Sequence, residues 1–134
     1  MFRRKTTACM VAILVIAVLG CAVSGFARYV YVGEASGYLS GTGDWEWIGA
    51  DLHRGVKYKL TLSVPSFDDF DVKVVYDRDR DGYADSGETV ATGRRGTGSD
   101  ELVTFFPSHS GRHHIKVYSY SGSGFYTLRL YVWI

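Results

Sequence analysis

The sequence predicts an all-β antiparallel sandwich preceded by an N-terminal export segment. Three observations carry this. Apolar and polar residues alternate with a period of two in several segments, which is the pattern of half-buried strands. Gly- and Ser-rich breaks separate those segments, and sixteen Gly stand against two Pro. Ten Tyr, seven Phe and three Trp supply residues that pack well on pleated surfaces. The 134 residues suit one domain. With 46% hydrophobic and 22% charged residues the composition is that of a globular protein, and a formal net charge of +1 argues against nucleic-acid binding.

The first element is not part of the sandwich. Arg3, Arg4 and Lys5 precede an uncharged apolar run, Ala8 to Val23, in the order of an export signal. The expected unit is residues 1–27, a signal helix, with residues 28–134 as the folded domain. Three fates are open. Gly25 and Ala27 fit ordinary cleavage near Arg28, Val18-Leu19-Gly20-Cys21 resembles a lipoprotein processing site, and the run is just long enough to stay as an anchor if Ser24 to Ala27 are added. Cleavage near Arg28 would remove three of the fifteen basic residues and none of the fourteen acids. The remaining 107 residues would carry a net −2. Cys9 and Cys21 both lie in this segment, so the domain would then have no disulfide to support a small core.

The strands follow in order. Tyr29 to Val32 and Trp45 to Asp51 are expected to be extended. Val56, Tyr58, Leu60, Leu62 and Val64 alternate with Lys57, Lys59, Thr61 and Ser63. Phe70, Val72, Val74 and Tyr76 repeat the pattern. Glu88 to Thr92 is short and β-branched, and Leu102 to Phe106 is stopped by Pro107. His113, Ile115 and Val117 alternate with His114, Lys116 and Tyr118, and Tyr126, Leu128, Leu130 and Val132 with Thr127, Arg129, Tyr131 and Trp133. Turn signals separate these runs, among them SGTGD at 40–44, SHSGR at 108–112 and SGSG at 121–124.

One connection carries a specific chemistry. Asp77-Arg78-Asp79-Arg80-Asp81-Gly82-Tyr83-Ala84-Asp85-Ser86-Gly87-Glu88 is a complete twelve-position calcium loop of EF-hand type. Asp77, Asp79 and Asp81 supply carboxylates at positions 1, 3 and 5, and Gly82 allows the turn at position 6. Tyr83 offers its carbonyl at position 7, Asp85 stands at position 9, and Glu88 has the reach for a bidentate grip at position 12. Five carboxylates so spaced would repel one another without a cation. The flanks read as strands, so the ion is expected to staple a long loop rather than to drive a helix-opening sensor. Asp68, Asp69 and Asp71 form a second acidic cluster, either a polar turn after Pro65 or part of a further metal site.

With these residues placed, the chain resembles the pre-peptidase C-terminal domains of bacterial and archaeal secreted proteins. The matching segments are Gly43 to Ile48, Leu52 to Tyr58, Phe70 to Asp77, Ser110 to Val117 and Ser123 to Leu128, in that order. Glu46 stands where the family pattern has Asp, and Arg112-His113-His114 replaces an aromatic pair. The resemblance implies a jelly-roll-like β-sandwich and an accessory, non-catalytic role outside the cell. It covers roughly Glu34 to Val132.

No His-Glu-x-x-His, Gly-x-Ser-x-Gly or Cys nucleophile motif is present, and His113 and His114, being adjacent on a strand, should face opposite ways. An enzyme is therefore not expected. Trp45, Trp47, Tyr118, Tyr120, Tyr131 and Trp133 fall off the inward register and suit a platform for a sugar or an extended peptide, or else cross-strand packing. The expected protein is a secreted or cell-surface accessory module, monomeric, that binds calcium structurally and binds an extracellular protein or polysaccharide. It would meet a membrane only through its N-terminal segment. A purely structural envelope protein and a carbohydrate-binding module are the alternatives.

Overall fold

The computed structural model describes residues 27–79 and 89–134. The expected signal helix and most of the expected calcium loop lie outside the described residues. Among the described residues eight strands are formed: β1 (Tyr29–Leu39), β2 (Trp45–Leu52), β3 (Tyr58–Ser63), β4 (Asp69–Tyr76), β5 (Thr89–Gly93), β6 (Glu101–Phe105), β7 (Gly111–Ser121) and β8 (Gly124–Trp133). They make two four-stranded sheets, β1-β8-β3-β6 and β2-β7-β4-β5, and the paired strands are antiparallel. This is a jelly-roll sandwich. Most connections pass from one sheet to the other. The β4–β5 connection, by contrast, joins neighbours in one sheet, and it spans residues 77–88.

The alternation expected from sequence is the alternation that fills the core. Tyr58, Leu60 and Leu62 of β3, Ile115 and Val117 of β7, and Leu128 and Leu130 of β8 are fully buried between the sheets with Leu39, Ile48, Phe70 and Val72. Burying one such side chain is worth about 1.5–3 kcal/mol. Register irregularities occur on β1 and β4. The β1–β8 register slips between Tyr31 and Gly33, so β1 runs on past Val32 to Leu39 and buries Ala35 and Leu39 instead. On β4 both Val74 and Val75 are buried although they face opposite sides, since the register with β7 stays regular there while that with β5 slips.

Strand directions assign the loops to two ends. The start of β1, the end of β8, and the β2–β3, β4–β5 and β6–β7 connections share one end. There Arg28 and Ile134 exchange backbone hydrogen bonds of 2.8 and 3.0 Å, and Gly55 N–H donates to Pro107 O at 2.9 Å. At the other end Gly98 N–H donates to Asp68 O at 2.8 Å.

Candidate functional site

The expected calcium loop starts from a structured base. Val75 of β4 pairs with both His114 of β7 and Thr89 of β5. The residues that flank the twelve-residue segment, Tyr76 and Thr89, both lie in paired strands, which suits a cage using positions 1 and 12. Asp77 is 5% exposed although it follows the last residue of β4. Its Oδ2 accepts a hydrogen bond from His114 Nε2 at 2.9 Å. A carboxylate only accepts, so the contact fixes the proton on Nε2. The edge of the Trp47 ring lies against the same imidazole, with ring centroids 5.9 Å apart. Position 1 is thus a buried, oriented carboxylate, which fits a hard cation. Arg78 and Asp79 are exposed. Asp81, Tyr83, Asp85 and Glu88 lie outside the described residues. Among the described residues no group of three or more His, Cys, Asp or Glu is arranged to hold a metal ion.

The outer face of β2-β7-β4 continues from His114. Trp45 pairs with Tyr118, Trp47 with Lys116, and Lys116 with Lys73 across the next strand. Lys116 Nζ lies 5.3 Å from the Trp45 ring centroid, 5.8 Å from Trp47 and 5.6 Å from Tyr118. The two indoles meet edge to face at 5.9 Å. Partial burial, with the nearby Lys73 charge, pushes the Lys116 ammonium below its usual pKa. The row is half-buried and pre-ordered, and it presents ring edges and positive charge. Of the remaining sequence-predicted aromatics, Tyr131 and Trp133 belong to the other sheet, and Tyr120 stands exposed at the far end.

The second acidic cluster is not a simple turn. Asp69 and Asp71 lie on β4 rather than in the loop before it, and Asp71 is 4% exposed. Burial raises the Asp71 pKa, reinforced by the charge of Asp69, while a hydrogen bond from the Tyr118 hydroxyl opposes it. Glu101, which sequence reasoning left out, is 1% exposed at the start of β6, and burial raises its pKa too. Its Oε1 accepts from Arg95 N–H at 2.5 Å, while Asp69 Oδ1, Asp71 Oδ1 and Glu101 Oε2 have no hydrogen-bond partner among the described residues. The signal for Glu101 was its place in the inward series with Val103 and Phe105.

His113 and His109 have structural partners. His113 is fully buried, its Nδ1 donates to Gly111 O at 2.9 Å, and burial lowers its pKa. His109 stacks flat on Tyr76 at 4.6 Å, and its hydrogen bond is to its chain neighbour Ser108 on an exposed loop.

Neither a protein-family model nor a curated protein matches the sequence. Solved structures do share the fold. The pre-peptidase C-terminal domain of a collagenase from Bacillus anthracis is 15% identical with a TM-score of 0.58, over 73% of this chain and 87% of that one. A periplasmic inhibitor of g-type lysozyme from Aeromonas hydrophila is 14% identical with a TM-score of 0.57, over 90% and 95%. A surface-associated copper-binding protein from Methylomicrobium album is 8% identical with a TM-score of 0.59, over 75% and 94%. At these identities the likeness extends to the fold alone, and it agrees with the architecture that the sequence resemblance implied.

Proposed function

We propose that this chain is an extracytoplasmic, non-catalytic accessory module that holds a structural calcium ion and binds an extracellular protein or polysaccharide. The carrying observation is the Trp45-Trp47-Lys116-Tyr118 row, an ordered aromatic and cationic strip on the outer face of a sheet whose inner face already closes the core. Flat rings supply large contact area at low entropic cost, and the ammonium adds charge recognition. Calcium would be held by Asp77, Asp79, Asp81, the Tyr83 carbonyl, Asp85 and Glu88. It would fix the β4–β5 connection beside Trp47 and His114, at one end of the strip. The apolar N-terminal run supports a location outside the cytoplasm.

A glycan and collagen-peptide array probed with the domain tests this reading. Binding that falls at least tenfold in Trp47→Ala and Lys116→Ala is expected, as for residues central to an interface. Binding unchanged in both would remove the strip from recognition. No binding to any polymer or protein would leave the chain a structural envelope protein. Hydrolysis of peptide or ester substrates would overturn the non-catalytic assignment.

A further inference from the structure

We propose that the N-terminal end of the β1-β8-β3 face docks on an anionic phospholipid bilayer. The outward positions there form a ladder of rings. Tyr29 meets Trp133 edge to face at 4.8 Å, and Tyr31 meets Tyr131 in the same way at 5.9 Å. Two lysines of the neighbouring segment lie among them. Lys59 Nζ is 4.4 Å from the Tyr29 ring centroid and 4.5 Å from Tyr131, and Lys57 Nζ is 5.3 Å from Trp133 and 6.0 Å from Phe106. Tyr31 is 52% exposed, and Phe106 and Ile134 are each 61% exposed. Along β1 this face carries no acid before Glu34, whose carboxylate is taken by Arg129 at 3.1 Å.

The chemistry selects the occupant. Tyr and Trp with lysines whose stems lie along apolar surface are the residues that settle at the headgroup level of a bilayer. Phe106 and Ile134 have no polar tip to offer a sugar, and they suit the acyl boundary. The lysines favour anionic headgroups. Chain continuity supports the same surface. The apolar run ends at Val23, five residues before Arg28, and extended chain covers at most about 3.6 Å per residue. Arg28 is tied to Ile134, so an anchored segment would hold this end within about 20 Å of the bilayer. That proximity rests on reading residues 1–27 as an export or anchoring segment; the ladder of rings and lysines does not.

The experiment keeps the two apart. The full chain carrying Trp45→Phe and Trp47→Phe retains Trp133 as its sole indole. It is mixed with vesicles of phosphatidylcholine, with or without about 30 mol% phosphatidylglycerol, carrying brominated acyl chains. Co-sedimentation reports the N-terminal segment, and Trp133 quenching reports the docked face. Quenching with the anionic vesicles, reduced at least about tenfold in apparent affinity by Lys57→Glu/Lys59→Glu, is the expected result. A sedimenting chain whose Trp133 stays unquenched overturns the proposal and leaves the anchor intact. In the unaltered chain, lysine acetylation probes the same face without substitutions. Anionic vesicles should protect Lys57 and Lys59 but not Lys73 on the opposite sheet, and equal labelling of all three would refute docking.

Discussion

The hydroxyl of Tyr126 on β8 donates a 2.7 Å hydrogen bond to Glu46 Oε2 on β2, joining the two sheets through the sandwich. Gly37 of β1 lies opposite Tyr126 and makes room for it. A Cβ at Gly37 would stand 2.6 Å from the Tyr126 hydroxyl and 2.5 Å from Glu46 Oε2. A glycine gap, a buried phenol and a carboxylate thus form one unit.

Tyr126→Phe should destabilise the domain by about 1.5–3 kcal/mol, the range for a hydrogen bond to a charged acceptor. Gly37→Ala should cost at least as much, because it pushes the pair apart. Urea unfolding checks both, with the denaturant slope expected to stay constant. A Tyr126→Phe change within about 0.5 kcal/mol of wild type would mean that water replaces the phenol at Glu46.

Much of this architecture was legible because burial follows a period of two. The inward residues of β3, β7 and β8 could be read one by one from their alternation. The extent of β1 could not. Its continuation past Val32 depends on a register slip and on pairing with β8, such as Ser36 with Thr127, ninety-one residues away. At the candidate site, Trp45, Trp47 and Tyr118 of the expected aromatics fall in one row, while Tyr120, Tyr131 and Trp133 lie elsewhere. The burial of Asp77 against His114 was not legible, since it arises from the pairing of β4 with β7. Glu101 was missed because an acid in an inward series reads as a turn residue until the neighbouring sheet covers it.

Stability should respond to pH through Asp71 and Glu101. Burial raises both carboxyl pKa values in the folded state. Below about pH 3 both folded and unfolded chains are largely protonated at these sites, so neither group affects stability. As pH rises past the unfolded values, the unfolded chain releases protons first, and the two groups progressively destabilise the fold. Asp71→Asn/Glu101→Gln should therefore be more stable than wild type at pH 7, with the difference vanishing near pH 3. Chemical unfolding across that range, with calcium held constant, reads the difference. An equal gap at both pH values would assign the effect to packing.

His113 should act in the opposite direction. Burial lowers its folded pKa, so the fold resists a proton that the unfolded chain accepts below about pH 6.5. The stability it contributes is complete above that value and declines as pH falls through it. His113→Met should flatten the stability profile between about pH 7 and pH 5. Wild-type and variant profiles that stay parallel over this interval would exclude His113 as the source.

Calcium removal should perturb stability on the same scale as the loss of the Tyr126 hydrogen bond. A module of this kind would bind with a dissociation constant on the order of 0.1–1 mM, and saturation at a hundredfold excess stabilises a fold by about 2.7 kcal/mol. In a domain this size that raises the melting temperature by on the order of 10 °C. Glu88→Gln and Asp77→Asn should abolish the rise. His114→Ala should weaken binding about tenfold while leaving every ligand in place, because the imidazole N–H orients the Asp77 carboxylate and outer hydrogen bonds of this kind carry that weight. Asp69→Asn should leave calcium affinity unchanged, since Asp69 sits at the opposite end of β4 from the loop. Scanning calorimetry with calcium and with chelator, and calorimetric titration of each variant, separate these outcomes. Identical melting temperatures with and without calcium in the unaltered domain would end the staple hypothesis, and a loss confined to Asp69→Asn would move the ion to the far end of the sandwich.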